Sequence, residues 1–129
     1  MKRRGAGIAV VRGGNVLLIR RRDNGLWDVP GGGAGPGETP ETTARRELRE
    51  ETGLEVGALS LLDVFSHPHT YPDGNVVHWE TRVFTAPWAG GEPRAGDDAA
   101  DVRWWPLDGL PDEVSAATAQ YLAALRGHA

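Results

Sequence analysis

Apolar residues along this chain fall into short runs broken by turn residues, and in one interval the spacing lengthens from two to between three and four. Residues 5–11 and 16–20 (VLLIR) flank Gly13, Gly14 and Asn15, a pattern that predicts a hairpin. Residues 26–30 (LWDVP) make a short extended segment, and residues 40–52 carry helical spacing. Residues 55–66 include a strand-like run (LSLLDVF), and residues 67–75 read as a turn-rich loop. Residues 76–86 (VVHWETRVFTA) alternate, with Val77, Trp79, Thr81 and Val83 on one face and Val76, His78, Glu80, Arg82 and Phe84 on the other. A Gly/Pro/Asp-rich loop over 87–100, a last strand over 102–105, a turn over 106–111 and a helix over 113–125 complete the chain. Ala117, Tyr121, Ala124 and Leu125 would form that helix's apolar side. Strands interleaved with two helices predict an α/β fold, a three-layer α/β/α sandwich with a mixed sheet between helices.

The helix over 40–52 has the stronger chemistry. Thr39 is a natural N-cap, Pro40 suits the first helical position, and Gly53 suits the residue after the last turn. Glu47 neighbours Glu50 and Glu51 at three- and four-residue spacing, so the three carboxylates share an arc of roughly 100°. Ala44 and Leu48 border that arc and would turn it toward a core. Like charges at this spacing cost about 0.2–0.5 kcal/mol per pair. Acids in a last turn oppose the helix dipole by roughly 0.3–1 kcal/mol each. A divalent cation held by the three would offset both costs, and Mg²⁺ takes hard oxygen ligands. A solvated charged face paired with Arg45, Arg46 and Arg49 explains the same residues, and spacing alone does not choose.

Between Gly31 and Gly37, five of seven residues are glycine, with Pro36 as a stiffener. Such a loop lets an oxyanion or a cation approach the backbone closely. Arg20, Arg21 and Arg22 precede it, and guanidinium groups suit bidentate contact with phosphate. Strand alternation would put Arg20 and Arg22 on one face, as candidates for substrate contact, and Arg21 on the other. Trp27 is read as a packing residue. His67 and His69 lack a third soft ligand nearby, which argues against zinc.

Gly32, Glu38, Arg46-Glu47-Leu48, Glu50-Glu51 and Gly53-Leu54 give nine defined positions over 23 residues. In that spacing the segment 32–54 resembles the signature of the Nudix hydrolase family, and other features resemble its MutT-like branch. The resemblance implies one Nudix domain over residues 1–129. It implies a loop–helix–loop that binds Mg²⁺ or Mn²⁺ and cleaves a pyrophosphate linked to a nucleoside. It assigns Glu47, Glu50, Glu51 and a carbonyl of Gly31 to the metal, Arg46 to orienting a glutamate, and Glu38 to bracing the loop. A Gly-Glu-Pro loop similar to residues 91–93 makes Asp97 or Asp98 the candidate for a further ligand or water-activating base. Gly32, Tyr71, His78 and Trp104 are further candidates for substrate contact, Trp104 because the WWPLD segment resembles a common ending in the family.

Composition narrows the alternatives. A chain of 129 residues can bury about two-thirds of its unfolded surface. With 40% hydrophobic and 25% charged residues it has an ordinary globular balance. A net charge of −4 argues against binding a nucleic-acid polymer. It leaves room for a small phosphorylated substrate whose charge a metal offsets. The absence of cysteine excludes disulfides, and no apolar run approaches a membrane span, so a cytoplasmic location without membrane contact is expected. A monomer or homodimer fits equally.

A nucleoside tri- or diphosphate is the leading substrate class, with dinucleoside polyphosphates and ADP-sugars as alternatives. A non-catalytic nucleotide sensor on the same fold would lose box glutamates, and none is missing. A calcium-buffering protein would need a loop pattern that this chain lacks.

Overall fold

The computed structural model describes residues 2–96 and 98–127. Its elements are β1 (Lys2–Arg12), β2 (Asn15–Arg21), β3 (Trp27–Asp28), β4 (Gly31–Gly33), α1 (Pro40–Thr52), β5 (Ser60–Thr70), β6 (Val76–Pro87), β7 (Ala99–Pro106) and α2 (Ala116–Gly127). The strands join in one mixed sheet that runs β3-β2-β1-β6-β5, with β4 added to β1 and β7 to β2. β1 lies parallel to β6 from Lys2↔His78 to Val11↔Pro87.

Alternation sorts the apolar side chains onto two faces. Ile8, Val10 and Leu17 pack with Ala44 and Leu48 of α1, whereas Ala9, Val16, Leu18 and Val83 pack with Tyr121 and Leu122 near α2. Each helix therefore covers one face, and the expected α/β/α sandwich is what the chain forms. β1 is buried on both sides, which is why its sequence is continuously apolar rather than alternating.

β1 and β2 pair only beside their turn, at Val11↔Val16 and Arg12↔Asn15. Farther back, β4 takes the place next to β1, at Gly5↔Gly33, Ala6↔Gly32 and Gly7↔Gly31. Two glycine-rich backbones meet there. A β-carbon on Gly31 would lie 2.6 Å from the Ala6 carbonyl oxygen and 2.7 Å from Gly7 Cα. The first part of the glycine run is thus a strand locked into the sheet, not a free loop.

Several boundaries differ from the sequence reading: β1 and β7 each begin three residues earlier, and two further shifts have clear partners. β5 continues through His67, Pro68, His69 and Thr70, because β6 supplies a ladder as far as Thr70↔Val76. Pro68 is tolerated because β5 is an edge strand. α2 starts at Ala116 because the Ser115 hydroxyl accepts the Thr118 N–H at 3.1 Å, a side-chain cap. Glu113 is used instead to accept the Trp27 N–H at 2.8 Å.

Candidate active site

Local signals fix α1 at both ends. Thr39 has an extended backbone and its hydroxyl accepts the Thr42 N–H at 3.2 Å, and Pro40 begins the helix. Gly53, at φ 75°, donates its N–H to the Arg49 carbonyl. Ala44 and Leu48 are fully buried, so the rotation of the helix about its axis is set, and with it the direction of the glutamates.

Glu51 turns inward. The Gly31 N–H donates to its Oε2 at 3.0 Å, and the Glu47 carboxylate lies within hydrogen-bonding reach. Burial first, and then the charge of Glu47, push the Glu51 carboxyl up to about 9. Gly32 makes room for Glu47, whose carboxyl carbon would stand 2.7 Å from a β-carbon at that position.

Arg46 holds the outer side. Its Nε and Nη2 grip Glu38 at 2.7 and 3.0 Å, and Nη1 reaches Glu47 at 3.0 Å and Glu50 at 3.0 Å. Nη2 also donates to the Gly33 carbonyl at 3.2 Å. Glu38 further accepts the Gly35 N–H at 2.6 Å and the Thr43 hydroxyl at 3.0 Å. Arg46, with those two donors, holds the Glu38 carboxyl down at about 2, and Glu38 in turn raises the Arg46 pKa. The glycine turn and α1 are therefore tied together by one bidentate ion pair.

These groups open onto a cleft of about 680 Å³. Gly31, Glu47, Glu50, Glu51 and Asp98 line it, together with Arg21 at the end of β2 and Arg22 and Asp23 just past it. Arg21 is held by both carboxylate oxygens of Asp23, at 2.9 and 2.8 Å, and lies 4.0 Å from Asp28.

The structure redistributes the other expected contacts. Arg20 does not line the cleft: its Nε donates to the Gly25 carbonyl at 3.1 Å and its guanidinium lies over Trp27. The alternation was real, but its phase was not legible. Leu17 packs under α1, so Ile19 and Arg21 follow it onto the cleft side and Arg20 faces α2. Arg22 reaches the cleft from just beyond the strand. Tyr71 lines a separate cavity of about 420 Å³ with Arg3 and stacks edge-on to His69. His78 is exposed beside Lys2 and Pro68. Trp104 packs in the α1-side core, edge-on to Trp88. None of Tyr71, His78 and Trp104 lines the cleft. Asp97 lies outside the described residues.

Whether these residues suit a divalent ion can be tested on the cleft itself. As the side chains stand, no three acidic, imidazole or thiol groups among the described residues converge tightly enough to hold one, because Glu50 turns to Arg46. Yet among the described residues Glu51 has no guanidinium hydrogen bond; a backbone N–H supports it, and it faces a second carboxylate in a partly buried place. A proton or a cation must relieve that pair. The donors are all hard oxygens, the set that Mg²⁺ or Mn²⁺ takes. The residues fit such an ion.

A glycine strand clamped to an acid-bearing helix inside an α/β/α sandwich defines an oxygen-lined, arginine-flanked cleft as the class of site. Comparison with known proteins narrows that class. A family model described as NUDIX domain matches residues 1–125. An ADP-ribose pyrophosphatase from Methanocaldococcus jannaschii is 42% identical over 99 residues, 74% of this chain and 57% of that protein. A MutT-like protein from Streptomyces ambofaciens is 38% identical over 92% of this chain and 70% of its own length. The crystal structure of a MutT NUDIX hydrolase from Burkholderia pseudomallei superposes with a TM-score of 0.87 at 34% identity, covering 97% of this chain and 98% of that one. The chain belongs to the NUDIX family. It spans little more than half the length of the archaeal relative. Among the described residues no helix is long and apolar enough to cross a membrane.

Proposed function

We propose that this protein is a divalent-metal-dependent pyrophosphohydrolase acting on a nucleoside diphosphate linked to another moiety. The observation that carries this reading is the partly buried Glu47–Glu51 pair, with Glu51 bonded to the Gly31 N–H, in a cleft that Arg21 and Arg22 also line. Family membership supports the reaction class.

Glu47, Glu50 and Glu51, with a carbonyl of Gly31, would hold Mg²⁺ or Mn²⁺. When bound, such an ion supplies Lewis-acid polarisation of phosphoryl oxygens and acidifies water. Arg21 and Arg22 offer guanidinium donors to phosphate oxygens across the cleft. Arg46 would orient Glu47, would release Glu50 when the ion binds and, through Glu38, would keep the glycine turn against α1. Asp98, which lines the cleft, would accept a proton or add a ligand.

A nucleoside tri- or diphosphate is the substrate class proposed first, as in a MutT-like enzyme. An ADP-sugar is the second, favoured by the name of the archaeal relative. Nucleoside monophosphate formation, followed by chromatography with Mg²⁺ across a panel of nucleoside triphosphates, nucleoside diphosphates and ADP-ribose, tests both. Turnover of one class with loss in Glu51→Gln is expected. No turnover of any nucleoside pyrophosphate would overturn the hydrolase reading and favour a nucleotide sensor.

A further inference from the structure

The loop before β7 is fastened to the end of α1. A helix leaves its last carbonyls without intrahelical partners. Here the Gly96 N–H donates to the Glu51 carbonyl at 2.9 Å, and the Arg94 N–H donates to the Thr52 carbonyl at 2.9 Å. On the other side of the cleft, the Arg22 N–H donates to the Asp98 carbonyl at 3.2 Å. The loop thus spans from the turn that carries the metal-type glutamates to the end of β2, and Asp98 lines the cleft between them.

Contact at Gly96 is too close for any side chain. A β-carbon there would lie 1.9 Å from the Glu50 carbonyl oxygen and 3.1 Å from Glu51 Cα, both backbone atoms. The backbone of Gly96 has no positive φ, so this approach, not torsional freedom, is what demands glycine. Between the two partners it is the loop that must yield, because α1 is anchored by fully buried Ala44 and Leu48 while Gly91, Glu92, Arg94 and Asp98 are exposed.

We propose that Gly96 is a positioning residue: its bare backbone clips the loop to the C-terminal turn of α1, and the clip sets the Asp98 carboxylate on the cleft. This rests on the hydrolase reading for its consequence, but the clip itself can be tested without turnover.

The test is a double-mutant cycle on the full chain with Gly96→Ala and Asp98→Asn, read in two ways. First, hydrogen exchange of metal-free protein should show faster uptake in the segment around residues 94–98 of Gly96→Ala, with the α1 core unchanged. Second, Gly96→Ala should lower kcat by about a hundredfold, the scale for displacing a group by about 1 Å, with little change in KM. Asp98→Asn should lower kcat comparably, and adding Gly96→Ala to it should cost little more. Gly57→Ala, whose β-carbon would meet nothing within 4 Å, serves as the neutral glycine control. Unchanged exchange around residues 94–98 would overturn the clip. Full additivity of the two kcat losses, or a normal kcat in either single variant, would overturn the positioning role. An inactive wild type would count against the hydrolase reading and Asp98's part in it, while the exchange result would still decide the clip.

Discussion

Glu51 Oε2 accepts the Gly31 N–H at 3.0 Å, so one backbone donor of the glycine strand supports an acid that burial and the charge of Glu47 both disfavour. That contact joins β4 to the end of α1. It also leaves Glu51 facing Glu47 with a shared charge to dispose of.

Glu51→Gln should therefore flatten the pH dependence of stability in the metal-free protein. The Glu51 pKa is raised in the fold, from 4.5 to about 9, so the stability it contributes is fully present below pH 4.5 and is lost as pH climbs toward 9. Within that window the slope is at most about 1.4 kcal/mol per pH unit. Thermal melts at pH 5 and pH 8 should show the variant more stable than wild type at pH 8 and similar at pH 5. A wild type that gains stability over the same range would contradict this assignment.

Mg²⁺ should stabilise the wild type more at pH 8 than at pH 5, because ligand carboxylates must be deprotonated. Binding near neutral pH should release a proton, visible as a dependence of calorimetric heat on buffer ionisation enthalpy. Heats indifferent to the buffer would place the ion away from Glu51.

Glu38 works in the opposite sense. Arg46, the Gly35 N–H and the Thr43 hydroxyl depress its pKa to about 2, so its contribution is present above pH 4.5 and lost as pH falls toward 2. Glu38→Gln should blunt acid unfolding between those limits. It also frees Arg46 to bind Glu47 and Glu50 more closely, so activity should require a higher Mg²⁺ concentration. A variant with unaltered Mg²⁺ dependence would show that Arg46 does not compete for those acids.

Two adjacent glycines should fail in different ways. Gly31→Ala drives a β-carbon into the backbone of β1 and should cost about 1–3 kcal/mol of stability, seen in denaturant melts. The nearest atoms a β-carbon of Gly32→Ala would meet belong to the movable end of Glu47. It should fold normally and weaken Mn²⁺ binding by about tenfold or more, measured by electron paramagnetic resonance. Equal losses of stability in both would mean that Glu47 is not free to move.

Arg22→Ala should raise KM for the nucleotide by about tenfold, the worth of one charge-assisted hydrogen bond. Arg20→Ala should leave KM alone, since that guanidinium is spent on Gly25 and Trp27. Steady-state kinetics with the preferred nucleotide separates the two, and a reversed order would restore Arg20 as the contact.

α1 was legible to the residue because its signals are local: Thr39, Pro40 and Gly53 act within one turn of the ends they fix. The arc of Glu47, Glu50 and Glu51 followed from helix geometry, although Glu50's turn toward Arg46 did not. What sequence could not give depended on distant partners. Arg20 and Arg21 exchange roles because Leu17 happens to sit beneath α1. His67 to Thr70 become strand only because β6 runs alongside. Nothing near Gly96 distinguishes it from Gly90 or Gly91 in the same loop. Its meaning lies in the Glu50 carbonyl, 46 positions earlier, against which it packs.

The most direct measurement is anomalous diffraction from crystals of the wild type grown with Mn²⁺ and a non-hydrolysable nucleotide analogue. Our account predicts a peak within bonding distance of Glu47, Glu51 and the analogue's phosphates, with Glu50 swung away from Arg46 toward the cleft. Manganese absent from the cleft, with Glu47 and Glu50 still paired to Arg46 and Glu51 still bound to Gly31, would contradict it.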